Sequence, residues 1–150
     1  MGEDRLEKTG DDYLVVLRVN VLSTVNWIDT GLDVEEGEQI QFRATGRICL
    51  QRGNPIAYCG PDGKNLKTIQ QPLKDSNIGA LIGQVIFLVS VEVDEETGEE
   101  IRNEMKESFY IGKKNKVFMP IKGRLFLGIN ENLVKDNVGE FEVEIRLNYK

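Results

Sequence analysis

The chain of 150 residues has no histidine, two cysteines, four prolines and one tryptophan. Without histidine it lacks the imidazole on which Ser-His-Asp triads, Cys-His dyads and the usual zinc sites depend. Nineteen basic residues face 25 acidic ones, a formal net charge of −6, which argues against a general nucleic-acid binder because such proteins need a basic face. No apolar run approaches the roughly 20 residues of a membrane-spanning helix. Composition therefore favours a binding or structural domain over an enzyme.

The length predicts one domain, since domains typically run to roughly 100–200 residues. Residues 1–12 are polar and lack the apolar stretch of a secretory signal, so we expect a flexible lead-in there and a single domain over 13–150. The compartment stays open, because a signal removed from a longer precursor would leave the same sequence. Cys49 and Cys59 lie ten residues apart without a CxxC spacing. Two free thiols are favoured, and a disulfide remains an alternative in an exported protein.

Alternation of apolar and polar residues predicts strands over 14–21, 38–45 and 140–148. In the last of these, Phe141, Val143, Ile145 and Leu147 share one face. Residues 84–111 are predicted to form an extended hairpin with an acidic turn at 94–100, and residues 51–78 a long ordered loop of the kind that is often functional. With no helical periodicity and around eight strands, we expect an all-β, antiparallel β-sandwich.

The loop at 130–139 concentrates oxygen-bearing side chains, namely Asn130, Glu131, Asp136 and Asn137. Calcium prefers six to eight oxygen ligands from carboxylates, amides, backbone carbonyls and water. The spacing is not that of an EF-hand. The residues alone leave two interpretations open: a calcium site, or a polar turn in which Asn and Asp bond to their own backbone.

The run from Gly123 to Ile145, GRLFLGINENLVKDNVGEFEVEI, resembles the C-terminal signature of bacterial galactophilic lectins and related galactose-binding-like β-sandwich domains. Further pieces follow in the order of that family: Asp29-Thr-Gly31, Ala44-Thr-Gly46, Gly60-Pro-Asp-Gly63 and Gly79-Ala-Leu-Ile-Gly83. The resemblance spans roughly residues 20–145. Three departures are visible: Glu131 replaces an aspartate, the 130–139 loop is about two residues shorter, and no histidine is present to hold galactose.

The resemblance implies a calcium ion that receives two sugar hydroxyls. By position, its ligands would be Glu131, Asp136, Asn137 and the backbone carbonyl of Leu50, with Asn130 as a further candidate from the loop. Glu131 and Asp136 would also contact the sugar. A homo-oligomer is expected as well, because weak sites gain avidity when they are linked.

Two residues of the long loop are additional candidates for sugar contact. Tyr58 offers an aromatic face, and Asp62 offers a hydrogen-bonding carboxylate, although a turn residue bonded to its own backbone is the simpler interpretation of Asp62. No GxSxG, P-loop or dinucleotide-binding motif is present, so no catalysis is expected. The sequence thus predicts a calcium-dependent carbohydrate-binding module for a galactoside-type ligand. The alternative is a non-catalytic structural or protein-interaction sandwich that has lost the sugar site.

Overall fold

A computed structural model describes residues 4–9, 12–65, 71–132 and 134–149 of the chain. Within these ranges no helix is long and apolar enough to cross a membrane. The described helical structure is a 3₁₀ turn at Pro55–Ala57. The described strands are β1 (Asp4–Thr9), β2 (Asp12–Leu22), β3 (Ile28–Val34), β4 (Gln39–Cys49), β5 (Tyr58–Cys59), β6 (Leu81–Val93), β7 (Glu100–Tyr110), β8 (Lys114–Phe118), β9 (Gly123–Ile129) and β10 (Val138–Tyr149).

These strands form two antiparallel sheets. One has the order β1-β2-β10-β4-β5, with β8 also paired to β4, and the other has the order β3-β9-β6-β7. The predicted antiparallel β-sandwich is confirmed. The strands that the sequence did not indicate are short or polar: β5 has two residues, and β1 lies within the expected lead-in and pairs with the edge of β2. Edge pairing needs only backbone hydrogen bonds, so β1 leaves no apolar signal.

The core lies between the inner faces of the two sheets. Strand β10 is central in its sheet, between β2 and β4, and its predicted inward residues Phe141, Val143 and Ile145 are buried. Alternation predicted this strand correctly because one of its faces is apolar and the other is wet. From the opposite sheet, the buried side chains of the same core are Leu81, Val85, Leu125, Leu127 and Ile129.

Three connections meet at one end of the sandwich. The β9–β10 loop bonds to the segment before β6, with Asn130 N–H donating to the Ala80 carbonyl (2.8 Å) and Gly79 N–H to the Asn130 carbonyl (3.1 Å). It also bonds to the β4–β5 connection, since Arg52 N–H donates to the Asp136 carbonyl (2.9 Å). This backbone network holds the predicted long loop against the oxygen-rich loop.

Both thiols are free and buried. In the β4–β5 pair, Cys49 lies opposite Tyr58 and Cys59 lies opposite Ile48. Directly paired residues share a face of the sheet, so Cys49 is on the face of Tyr58. Successive side chains leave a strand on opposite faces, so Cys59 is on the other face and the two sulfur atoms point to different sides of the sheet. Burial raises the pKa of the Cys59 thiol to about 11, so this thiol stays protonated near neutral pH.

The predicted hairpin at 84–111 is confirmed as β6 and β7. Strand β6 pairs with β9 over Leu81–Ile86, whereas its pairing with β7 continues to Val93. The distal half of the hairpin is therefore a two-stranded arm, which we define as residues 87–105. Gly83 of β6 lies under the ring of Phe109, and a Cβ atom there would collide with that ring.

Candidate functional site

An open pocket of about 440 Å³ lies where the long loop meets the β9–β10 loop. Both predicted loops contribute to it, so the structure brings together segments some 80 residues apart in sequence. Its walls combine apolar side chains with two carboxylates and one ammonium group. The lining residues are Leu50, Gln51, Asn54, Ile56, Ala57, Lys64, Ile78, Glu131 and Asp136.

Asn137 is fully buried at the end of the loop, just before β10. Its side-chain nitrogen donates to the Ser23 carbonyl (2.9 Å) and to Glu131 Oε2 (2.8 Å). Two acceptors on the nitrogen fix the orientation of the carboxamide, because the reverse orientation would place oxygen against oxygen. Its oxygen Oδ1 is buried and has no hydrogen-bond partner in the structure. An orphaned buried acceptor is costly, so this atom needs an ion or a water molecule.

Glu131 lines the pocket and is joined to Asn137 by the same hydrogen bond. Burial raises the pKa of this carboxyl above its usual value, and the hydrogen bond from Asn137 lowers it by less. A partly desolvated carboxylate is poorly compensated by protein groups alone. A cation beside Glu131 would favour its ionised form.

Asp136 is exposed and lines the same pocket. Its backbone carbonyl accepts from Arg52 N–H (2.9 Å), which ties this end of the loop to the β4–β5 connection. Leu50, the predicted source of a backbone carbonyl ligand, also lines the pocket. Of the predicted metal ligands, the structure therefore gathers Leu50, Glu131 and Asp136 around one pocket, with Asn137 bonded directly to Glu131.

Asn130 has a different environment from the other predicted ligands. Its Oδ1 accepts from Leu73 N–H (2.8 Å), and its Nδ2 lies within bonding distance of the carbonyls of Leu73 (2.8 Å), Asn77 (3.0 Å) and Ser76 (3.3 Å). These bonds account for the buried carboxamide without a metal ion. Sequence reasoning missed this clamp on the 71–77 segment, because nothing in the local pattern connects two loops more than 50 residues apart.

The two predicted sugar-contact residues of the long loop do not line the pocket. Tyr58 is 43% exposed and packs under the guanidinium of Arg47, whose Cζ lies 4.5 Å from the ring centroid. Asp62 accepts from the Tyr110 hydroxyl (3.1 Å) and from Lys113 N–H (2.7 Å). Asp62 therefore anchors the connection between β7 and β8.

Lys64 is a pocket residue that sequence reasoning missed. Its ammonium donates to the Ile56 carbonyl across the long loop, and it lines the pocket together with both carboxylates. Burial raises the pKa of the Cys59 thiol most, and the charge of Lys64 lowers it by more than the charge of Glu131 raises it. The pocket lining thus includes a positive charge of the chain itself as well as the two carboxylates.

Within the described ranges, no group of three or more His, Cys, Asp or Glu side chains is arranged to hold a metal ion. The set predicted from the sequence would not form such a group, because it contains two carboxylates, two carboxamides and one backbone carbonyl. Calcium accepts all three kinds of oxygen. The donor chemistry therefore fits calcium and is unlike the sets that hold zinc or iron.

No protein-family model and no curated protein matches this chain. Among solved structures, the chain is similar to the EclA N-terminal domain, described as a PllA-like lectin, with a TM-score of 0.59, 19% identity and coverage of 88% of this chain and 95% of that chain. It also matches a structure of the CBM22-1 and GH10 modules of Clostridium thermocellum xylanase 10B with xylohexaose, at a TM-score of 0.32, 10% identity and coverage of 97% and 24%. The second score is too low for any argument. The first likeness confirms the predicted resemblance at the level of the fold.

Proposed function

We propose that this chain is a calcium-dependent carbohydrate-binding module, with its site in the pocket between the long loop and the β9–β10 loop. The observation that carries the proposal is the buried, unpartnered Oδ1 of Asn137, in a carboxamide whose nitrogen is bonded to the pocket residue Glu131. The similarity of the fold to a PllA-like lectin domain supports the class of ligand.

The proposed metal shell uses Asn137 Oδ1, the carboxylates of Glu131 and Asp136, and the backbone carbonyl of Leu50. Four protein positions leave part of the six to eight places around calcium open, and two neighbouring sugar hydroxyls are suitable oxygen ligands for these places. The two carboxylates balance the charge of the ion. Asn130 is assigned to hold the 71–77 segment beside the site.

The pocket walls suit a sugar that is held at its hydroxyl edge by the ion. Ile56, Ala57 and Ile78 offer apolar surface on which the C–H face of a pyranose can pack. A galactoside-type ligand is the specificity we propose, from the resemblance in the 123–145 run. Contacts from Tyr58 and Asp62 stay predictions, since both lie outside the pocket lining.

Calorimetry tests the proposal in two steps. Calcium is titrated into metal-free protein, and galactosides, with glucosides for comparison, are then titrated with and without calcium. We expect calcium binding, followed by a galactoside response that a chelator abolishes. Glu131→Gln should weaken calcium binding, whereas Glu95→Gln in the distal turn, with the same change of charge, should not. Absence of calcium binding by the unmodified chain would overturn the proposal.

One observation favours the second candidate, a structural or protein-interaction sandwich without a sugar site. The ammonium of Lys64 lies in the pocket and can balance part of the negative charge of Glu131 and Asp136 without a metal. Under this alternative, a chelator leaves the melting temperature unchanged, and no saccharide binds with or without calcium.

A further inference from the structure

Strand β7 is an exposed edge of the sandwich. It ends its sheet, and among the described strands it pairs with β6 alone. Residues 100–107 of β7 are all exposed. An edge of this length presents unpaired backbone N–H and C=O groups that can add a further strand.

Four of the five charged residues of β7 alternate in sign along one face, and the fifth, Glu107, lies on the other face. Glu100, Arg102, Glu104 and Lys106 follow one another at a spacing of two, and neighbours approach to 3.7–4.0 Å along the strand. Their cross-strand partners on β6 are apolar: Val93 for Glu100, Val91 for Arg102, Leu88 for Glu104 and Ile86 for Lys106. The alternating charges therefore have no charged counterpart on the strand they pair with.

The charge pattern of β7 is complementary to itself in the antiparallel direction. When two copies are paired about Asn103, Glu100 lies opposite Lys106 and Arg102 lies opposite Glu104, each twice. On the other face, Ile101 lies opposite Met105. We propose that this chain forms a homodimer in which the β7 strands of two copies pair antiparallel about Asn103, so that two four-stranded sheets become one.

Charge also decides the register. The two-fold axis of such a dimer is perpendicular to the sheet and passes midway between one residue and the same residue of the second copy. Each possible register is therefore centred on one residue of β7. Centring on Arg102 would put Arg102 opposite itself and Glu100 opposite Glu104. Centring on Glu104 would put Glu104 opposite itself and Arg102 opposite Lys106. Like charges directly opposite each other are destabilising, and of these three registers only the Asn103 one pairs Glu100, Arg102, Glu104 and Lys106 each with an opposite charge. Glu107 and Glu99, which face each other in this register, lie outside the paired segment 100–106.

The apolar face of the arm gains from the same pairing. Ile101 and Met105 are about half exposed, at 47% and 50%, and in the dimer each packs beside the other residue of the second copy. An isolated two-stranded ribbon is marginally stable in water. Since β9 pairs only with the proximal part of β6, pairing with a second copy would support the distal arm from its open side.

The register also fixes where the two sandwich bodies lie. The paired segment covers residues 100–106, and all of it except Lys106, which is level with the end of β9, extends past β9. The hairpin turn of each copy, residues 94–99, then runs beside residues 107–112 of the other copy, along the same edge of its sheet. The two bodies are thus placed at opposite ends of the joined sheet.

Sedimentation equilibrium over a range of protein concentrations tests the proposal with charge reversals. Glu104→Arg would place a second arginine opposite Arg102, and Arg102→Glu would place a second glutamate opposite Glu104. We expect each variant to self-associate about tenfold more weakly or worse. Glu95→Arg, in the turn outside the paired segment, makes the same charge change as Glu104→Arg and should leave the dimer intact.

Mixing the two reversed variants gives the decisive result. A chain with Arg102→Glu and a chain with Glu104→Arg complement each other at both contacts between these positions, so an equimolar mixture should form a one-to-one heterodimer. The double variant in one chain should recover the homodimer. A monomeric unmodified chain at every concentration, or a dimer indifferent to both reversals, would overturn the proposal.

Discussion

The clearest test of the site is a single substitution, Asn130→Asp. Asn130 is fully buried and satisfies Leu73 N–H with its oxygen and the carbonyls of the 71–77 segment with its nitrogen. Aspartate keeps the oxygen that accepts from Leu73 but replaces the donating nitrogen with an oxygen. That oxygen would face backbone carbonyls at 2.8–3.0 Å, where it can only repel.

The size of the effect follows from burial. A net hydrogen bond is worth about 1 kcal/mol, and an unsatisfied buried group costs more, so Asn130→Ala should lower the free energy of unfolding by about 3 kcal/mol. Asn130→Asp adds a buried negative charge that keeps only Leu73 N–H as its partner, and a buried charge without a counter-charge typically costs about 4 kcal/mol. Aspartate should therefore be at least as destabilising as alanine, although it is closer in shape to asparagine.

Urea denaturation followed by the fluorescence of Trp27, the single tryptophan of the chain, measures this difference. The matched control is Asn132→Asp, since Asn132 is exposed in the same loop and should change stability by less than about 0.5 kcal/mol. Calcium affinity is measured on the same variants. A well-tolerated Asn130→Asp that also tightens calcium binding would refute the clamp and place Asn130 in the metal shell, as the sequence suggested.

Three further outcomes are expected. Lys64→Gln removes a positive charge from the pocket and should tighten calcium binding about fivefold; calorimetry showing no change would mean that the ammonium does not oppose the ion. Burial raises the pKa of Glu131, so its contribution to stability is fully present below its unfolded pKa and is lost as the pH rises through its folded pKa. Denaturation at several pH values in the presence of a chelator should show this fall in stability, and Glu131→Gln should remove it. Gly83→Ala forces a methyl group into the ring of Phe109 and should cost about 1–3 kcal/mol in urea denaturation; an unchanged midpoint would show that the ring has room to move.

The fold was largely predictable because its core strands alternate. Strand β10 could be predicted from its own residues, because apolar and polar side chains alternate along it. Phe141, Val143 and Ile145 are buried, and Glu140 and Glu142 are exposed. Strand β1 could not be predicted in this way, because an edge strand is held by its backbone. The acidic hairpin was predictable from its turn and its flanking apolar residues.

The site was only partly predictable, for a related reason. The composition of the 130–139 loop indicated a candidate site, and the resemblance indicated Leu50 as the source of a further backbone carbonyl ligand. The roles of Lys64 and Asp62 depend on contacts between distant segments, such as Asp62 with Lys113 N–H. A turn aspartate looks the same in sequence whether it bonds to its own backbone or to a connection about 50 residues away.

The two buried asparagines explain how a short polar loop can hold a defined shape. Asn130 ties the start of the loop to the 71–77 segment, and Asn137 ties its end to Ser23 beside β2. Glu131 and Asp136 lie just inside these two anchors, so both carboxylates belong to a loop that is fixed at each end. Preorganised carboxylates lose little freedom on binding an ion. The anchors, rather than the number of acidic residues, are therefore the reason to propose the calcium site in this loop and not in the more acidic turn at 94–100, whose described hydrogen bonds are local.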